Sequence, residues 1–214
     1  MRMFPAFAAL LLSLCTLSAF AQEPAPESDA TYDNLKLVPN TKVAKVWADP
    51  SADFKQYTKF AILEPFVAFK KNWTRDHRRV TNSEMERIKK GLATMFVEEF
   101  TAVLEDGGFP VVTSAGDDVL VLRPALIDLD VNAPDTMEAG RTTTYVANAG
   151  AVTLYLELID SASGQMLARA VDRKAGRDTV GFQMSSRVYN SAEARRLLKT
   201  WAGLLRDRFK EIHG

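Results

Sequence analysis

Thiol chemistry has one residue to draw on, Cys15, and it sits within the first 21 residues. That stretch, MRMFPAFAALLLSLCTLSAFA, opens with the lone cation Arg2, runs uncharged and mostly apolar from Met3 to Phe20, and places Ala19 and Ala21 around Phe20. A charged start, an apolar middle and an A-x-A site make an export signal cleaved after Ala21. The mature chain from Gln22 then contains no cysteine, so nucleophilic thiols and disulfides drop out together, although an oxidising compartment would permit the latter. Retention as an anchor fits less well. The apolar stretch barely reaches the roughly 20 residues a span needs, and it contains Pro5. Lipidation of Cys15 would want a small residue at Leu14. The expected location is therefore the periplasm or the exterior, with no membrane span after cleavage.

Histidine offers little more. His77 lies in a charged stretch and His213 is the penultimate residue. A catalytic triad needs a base held by a third group, and zinc needs three or four convergent ligands. No glycine-rich phosphate loop follows a strand, and GDD at 116–118 reads as a turn. The inventory leads to no catalytic residue, no metal site and no cofactor. Carboxylates supply the one alternative. Asp128, Asp130, Asp135 and Glu138 leave a long apolar segment together, and Asp128 and Asp130 alternate onto one face of a strand. Two such groups serve as acid and base or bind a hard cation, so a carboxylate- or cation-dependent hydrolase using Asp128, Asp130 and Asp135 is the rival reading. A strand end emerging into solvent explains the same residues and is preferred.

The most distinctive surface feature is KKNWTRDHRRV at 70–80, where Lys70, Lys71, Arg75, Arg78 and Arg79 surround Trp73 and only Asp76 opposes them. Clustered cations with one indole suit an anionic lipid or polymer of the envelope, the indole lying at the interface. The plainer reading is a solvated loop whose tryptophan folds back onto the domain. Arg169, Arg173, Lys174 and Arg177 form a second basic group, in which Arg173 and Lys174 solvate a hairpin end. Overall the charge is balanced, 27 basic against 27 acidic residues, which argues against a nucleic-acid partner.

The elements that position these residues read as follows. Residues 22–31, QEPAPESDAT, have nothing to bury and form a flexible segment. Residues 32–214 form a single domain. It starts with a short edge strand around 42–47, followed by a strand at 58–67 in which Pro65 ends the pairing or moves it to an edge. Thr81 and Glu84 make a capping box. It opens a helix over about 81–105, with Met85, Ile88, Leu92, Phe96 and Phe100 on one stripe and Gly107 and Gly108 ending it. Phe109–Thr113 is a short strand. The segment 119–131 is apolar on both alternating faces, as a central strand is. Residues 132–141 form a loop. Residues 142–160 alternate, with Val152, Leu154, Leu156 and Leu158 inward, and turn at SASG 161–164 into a hairpin partner, 165–172. A helix over about 191–212 carries Leu197, Leu198, Trp201, Leu205 and Phe209 on one stripe, which docks on the domain's own sheet. The fold class is α+β: a two-layer sandwich with a largely antiparallel sheet of about five strands and two main helices.

Three phrases carry a family resemblance: ADPSADFKQYTKFAILEPF, LEDGGFPVVTSAGDDVLVLRPALIDLDVNAP and LELIDSASGQMLARAVDRKAG. Together they resemble the domain of unknown function 3313 family over roughly residues 32–210. The resemblance implies a secreted or lipid-anchored envelope protein with no assigned reaction and no assigned catalytic residues. Many relatives look like lipoproteins, whereas this chain lacks a convincing lipid-attachment box. The expected role is a non-catalytic accessory or binding protein of the cell envelope, its partner another envelope protein or an anionic lipid or polymer. A homo-oligomeric structural subunit joined through the 42–47 edge strand is a further alternative, with the oligomeric state left open.

Overall fold

A computed structural model describes residues 34–78, 80–131, 150–175 and 187–214. The stretch 1–21 read as an export signal, the segment 22–31, Arg79, Asp135, Glu138 and Arg177 lie outside the described residues, as does the 142–149 part of the alternating stretch. The described residues belong to one compact unit, Thr31–Gly214.

Among the described residues seven strands make one sheet: β1 (Lys36–Leu37), β2 (Lys45–Ala48), β3 (Lys59–Ile62), β4 (Phe66–Phe69), β5 (Val119–Asp130), β6 (Ala151–Asp160) and β7 (Met166–Ala175). Their order across the sheet is β1-β2-β7-β6-β5-β3, with β4 also paired to β5. Four pairings are antiparallel, whereas β3 and β4 both run parallel to β5. The parallel edge follows from connectivity: the chain from β4 to β5 passes through a long helix, and such a crossover returns the next strand in the same direction. Pro65 acts as expected. It is buried between β3 and β4 and splits one stretch into two short strands on the same side of β5.

The helices are the short α1 (Trp73–Asp76) and two long ones, α2 (Asn82–Asp106) and α3 (Arg187–His213). The capping box is formed: the Glu84 amide donates to the Thr81 hydroxyl at 3.3 Å and the Thr81 amide to the Glu84 carboxylate at 2.9 Å. Substituting Thr81→Ala should cost about 1 kcal/mol and lower the melting temperature by about 2–4 °C, read by thermal circular dichroism. At the other end of α2 the positive φ of 91° falls on Gly108, where the missing Cβ removes the steric penalty. Phe96 and Phe100 stack with centroids 3.9 Å apart. With Leu104, Leu198, Trp201 and Phe209 they form one core against Phe60, Leu120, Leu122, Leu126, Leu154 and Leu156.

Four expectations change. The sheet has seven strands among the described residues, because Pro65 divides one and the two-residue β1 was not read. The expected edge strand at 42–47 is β2, and it is not an edge: β1 pairs its outer side, Lys36 opposite Ala48 and Leu37 opposite Trp47. Phe109–Thr113 forms only one bridge, Phe60 to Val111. Lastly, β5 is central but not equally buried on both faces. Leu120, Leu122 and Leu126 meet the helices, while Val121, Ala125 and Ile127 on the other face stay partly exposed.

Candidate functional site

The basic segment starts where β4 ends. Asn72 adopts φ 67°, a left-handed conformation that asparagine tolerates better than most residues, and turns the chain into α1. Trp73 is only 1% exposed. Its indole stacks on Phe69 and His77, centroids 4.2 and 4.1 Å away, and donates from Nε1 to the Val131 carbonyl at 3.1 Å. The indole therefore does not lie at an interface with an outside partner; it pins α1 to the end of β5. The cations lie on either side of this anchored turn. Arg75 is 68% exposed beside Asp76 at 3.6 Å, Arg78 donates from Nε to the Arg75 carbonyl at 3.4 Å, and Lys71 is exposed. Lys70 instead pairs with Asp130 at 2.6 Å.

That pair also undoes the expected carboxylate couple. Between Ile127 and Asp130 the β5–β6 register slips by one residue, with Asp128 at φ 50°. An extra residue breaks the two-residue period, so Asp128 and Asp130 do not share a face by alternation. Asp128 takes a 3.5 Å contact from the Thr153 hydroxyl and Asp130 takes Lys70. Among the described residues no group of three or more His, Cys, Asp or Glu side chains is placed to hold a metal ion. His77 donates from Nδ1 to the Trp73 carbonyl at 2.9 Å and His213 to the Phe209 carbonyl at 2.8 Å. Each ring closes a helix end.

Topology adds what the sequence order concealed. Asp130 stands opposite Ala151, and Ala151 opposite Ala175, while Phe69 stands opposite Leu129. The ends of β4, β5 and β7 thus lie together, and the β1–β2 connection joins them through the Ala44 amide, which donates to Asp172 at 3.1 Å. One end of the sheet gathers Lys42, Lys71, Arg75, Arg78, Arg173 and Lys174 from three stretches of chain. Arg173 reaches the Thr153 hydroxyl at 3.4 Å and Lys174 pairs with Asp172 at 3.1 Å. Among the described residues Lys42, Lys71, Arg78 and Arg173 have no carboxylate partner. The legible signal for this convergence was the hairpin register, which brings 173–174 back to where β6 begins.

The family is decided by a match along most of the chain: the family model described as "Protein of unknown function (DUF3313)" covers residues 23–205. The chain belongs to the DUF3313 family. The DUF3313 match takes in the basic segment, both carboxylates on β5 and most of α3. No curated protein matches the chain. Among solved structures it is similar to a PelC dodecamer from Paraburkholderia phytofirmans, at 15% identity over 75% of this chain and 96% of that one, TM-score 0.39. It is also similar to a DUF330 protein from Xanthomonas campestris, at 12% identity over 77% and 93%, TM-score 0.38. A DUF4136 protein from Bacteroides thetaiotaomicron matches at 12% identity over 81% and 98%, TM-score 0.34.

The opposite end of the DUF3313 sheet has a different character. Its carboxylates organise turns. Asp160 takes the Ser163 hydroxyl and amide at 2.6 Å each and the Tyr57 hydroxyl at 2.7 Å. The Ser163 bonds, then Tyr57, hold Asp160 below the usual carboxylate range, and burial followed by Asp160 pushes the Tyr57 phenol up to about 12. Ser51 lowers Asp49 in the same way, and Lys59 with Thr58 lowers Asp118. Across the middle of the sheet Glu157 is flanked by Arg123 at 2.5 Å and by Arg169. No helix among the described residues is long and apolar enough to cross a membrane.

Proposed function

We propose that this protein is an exported, non-catalytic accessory or binding protein of the cell envelope that docks an anionic surface on the cation-rich end of its sheet. The observation that carries the reading is the gathering of Lys42, Lys71, Arg75, Arg78, Arg173 and Lys174 at one end, with the 71–78 part held by the buried Trp73. A segment held in place pays less ordering entropy on binding than a loose loop. Near an anionic leaflet each cation contributes about 1 kcal/mol, and the attraction fades within a Debye length of about 8 Å at physiological salt. Four cations with no carboxylate partner among the described residues are therefore worth about 4 kcal/mol together, enough for reversible docking. Carboxylate catalysis has less to stand on, since Asp128 and Asp130 are turned to separate partners.

Cosedimentation with phosphatidylcholine vesicles, with and without phosphatidylglycerol, tests this. Binding is expected only to the anionic vesicles and is expected to weaken as salt rises. The Lys71→Glu, Arg78→Glu variant removes two cations and should lose at least about 30-fold in affinity, from about 1 kcal/mol per charge. Equal pelleting of the variant and the natural chain would end the proposal.

A further inference from the structure

Among the described residues the exposed large hydrophobics are Leu37, Leu63 and Phe66, at 62%, 45% and 47% exposure. All three stand at the edges of the sheet, Leu37 on β1 at one side and Leu63 and Phe66 beside the β3–β4 break at the other. The β3 edge is closed, because the Phe60 amide donates to the Pro110 carbonyl and the Val112 amide to the Phe60 carbonyl. The β4 edge is open: Phe66–Phe69 pair only with β5 among the described residues. An open edge strand carrying apolar side chains is a template for another strand.

The two edges match each other in three respects. Leu37 stands opposite Trp47, Trp47 opposite Arg169, Arg169 opposite Glu157 and Glu157 opposite Arg123, so Leu37 shares Arg123's face. Phe66 stands opposite Ala125, two residues from Arg123, and shares that face too. Edge-to-edge pairing continues each face from one sheet into the next, so Leu37 of one copy would meet Phe66 of another. Directions agree as well. Four antiparallel steps separate β1 from β5, and β4 is parallel to β5, so β1 and β4 run the same way. Charges are complementary: Lys36 precedes Leu37, Glu64 follows Leu63, both are exposed, and neither has an ion-pair partner among the described residues.

We infer that the occupant of the open β4 edge is the β1 edge of a second copy of this chain. The contact joins unlike surfaces, so copies add head to tail and close into a ring or extend as a row. This association is independent of anion binding, and its test involves no vesicle.

Sedimentation equilibrium of the full chain across a concentration series should show a mass that grows past that of a dimer. Leu37→Asp and Phe66→Asp should each reduce the protein to monomer. Mixed together they should give a dimer and nothing larger, because each variant keeps one intact edge. Lys36→Glu and Glu64→Lys, on exposed side chains and so without consequence for folding, should each weaken association at least about tenfold, and mixing the two should restore growth past a dimer, because both alternating contacts then join opposite charges. A natural chain that stays monomeric up to about 1 mM overturns the inference. So does dissociation by Phe66→Asp but not Leu37→Asp, or a mixture of the two that remains monomeric.

Discussion

Replacing Asp172 with alanine is expected to lower the stability of the domain by about 3 kcal/mol, because two donors lose their acceptor where water cannot replace it. Asp172 is 2% exposed. Its carboxylate accepts from Trp201 Nε1 at 2.8 Å and from the Ala44 amide at 3.1 Å, tying α3 and the β1–β2 connection to β7. The Lys174 ion pair at 3.1 Å adds less, since that lysine is 43% exposed and returns to solvent when its partner is removed. A domain of this size loses about 2–4 °C of melting temperature per kcal/mol, so the midpoint should fall by about 6–12 °C. Asp172→Asn keeps one acceptor oxygen and should cost roughly half as much. Trp201→Phe removes a donor rather than the shared acceptor, so its cost should overlap with that of Asp172→Ala. A double-mutant cycle by urea unfolding checks this; additive losses would mean the 2.8 Å contact carries no coupling.

Asp172 also shows where sequence reading reaches its limit. Periodicity identified both long helices, the β6–β7 hairpin and the core stripe holding Leu198, Trp201 and Phe209, because burial leaves a repeat of 3.6 or 2 in the order of residues. The capping box and Pro65 were legible for the same kind of reason, as local chemistry with one good solution. A carboxylate at the end of a strand looks like solvent contact, yet Ala168, Ala170 and Asp172 share the inward period of β7, and Asp172 stands opposite the buried Leu154. Donors distant in the chain, Trp201 on α3, 29 residues on, and the Ala44 amide, make that burial tolerable. Trp73 is the converse case, and the plainer reading of it, folded back onto the domain, is what the structure shows. Neighbouring cations suggested a wet interface, but Phe69, His77 and the Val131 carbonyl satisfy both its face and its N–H. The bulge at Asp128 and the gathering of cations from 42, 71–78 and 173–174 depend on register, which pattern reading fixes only to within a residue.

Truncating Phe209 to alanine should be the most damaging single change in the aromatic end of the core. Phe209 is 1% exposed and lies 4.9 Å from Phe60, 6.0 Å from Phe109 and 6.2 Å from Phe54, each at close to a right angle. Those partners come from β3, from the turn after α2 and from the short helix at Phe54–Gln56, so one ring joins three segments that, among the described residues, share no hydrogen bond with α3's last turn. Loss of a buried phenylalanine costs about 3–5 kcal/mol when the surroundings cannot collapse into the space, and rigid strands on one side prevent that here. The competing outcome is fraying of the last turn of α3, which would cap the loss near 1 kcal/mol. Amide exchange separates the two. The Val112 amide, bonded to the Phe60 carbonyl at 2.8 Å, is far from α3 in sequence; it should exchange at least about tenfold faster in Phe209→Ala if the ring anchors β3, and at its ordinary rate if only the helix end frays. Phe209→Leu fills most of the volume and should recover more than half of the lost stability, with Val112 protection returning alongside it.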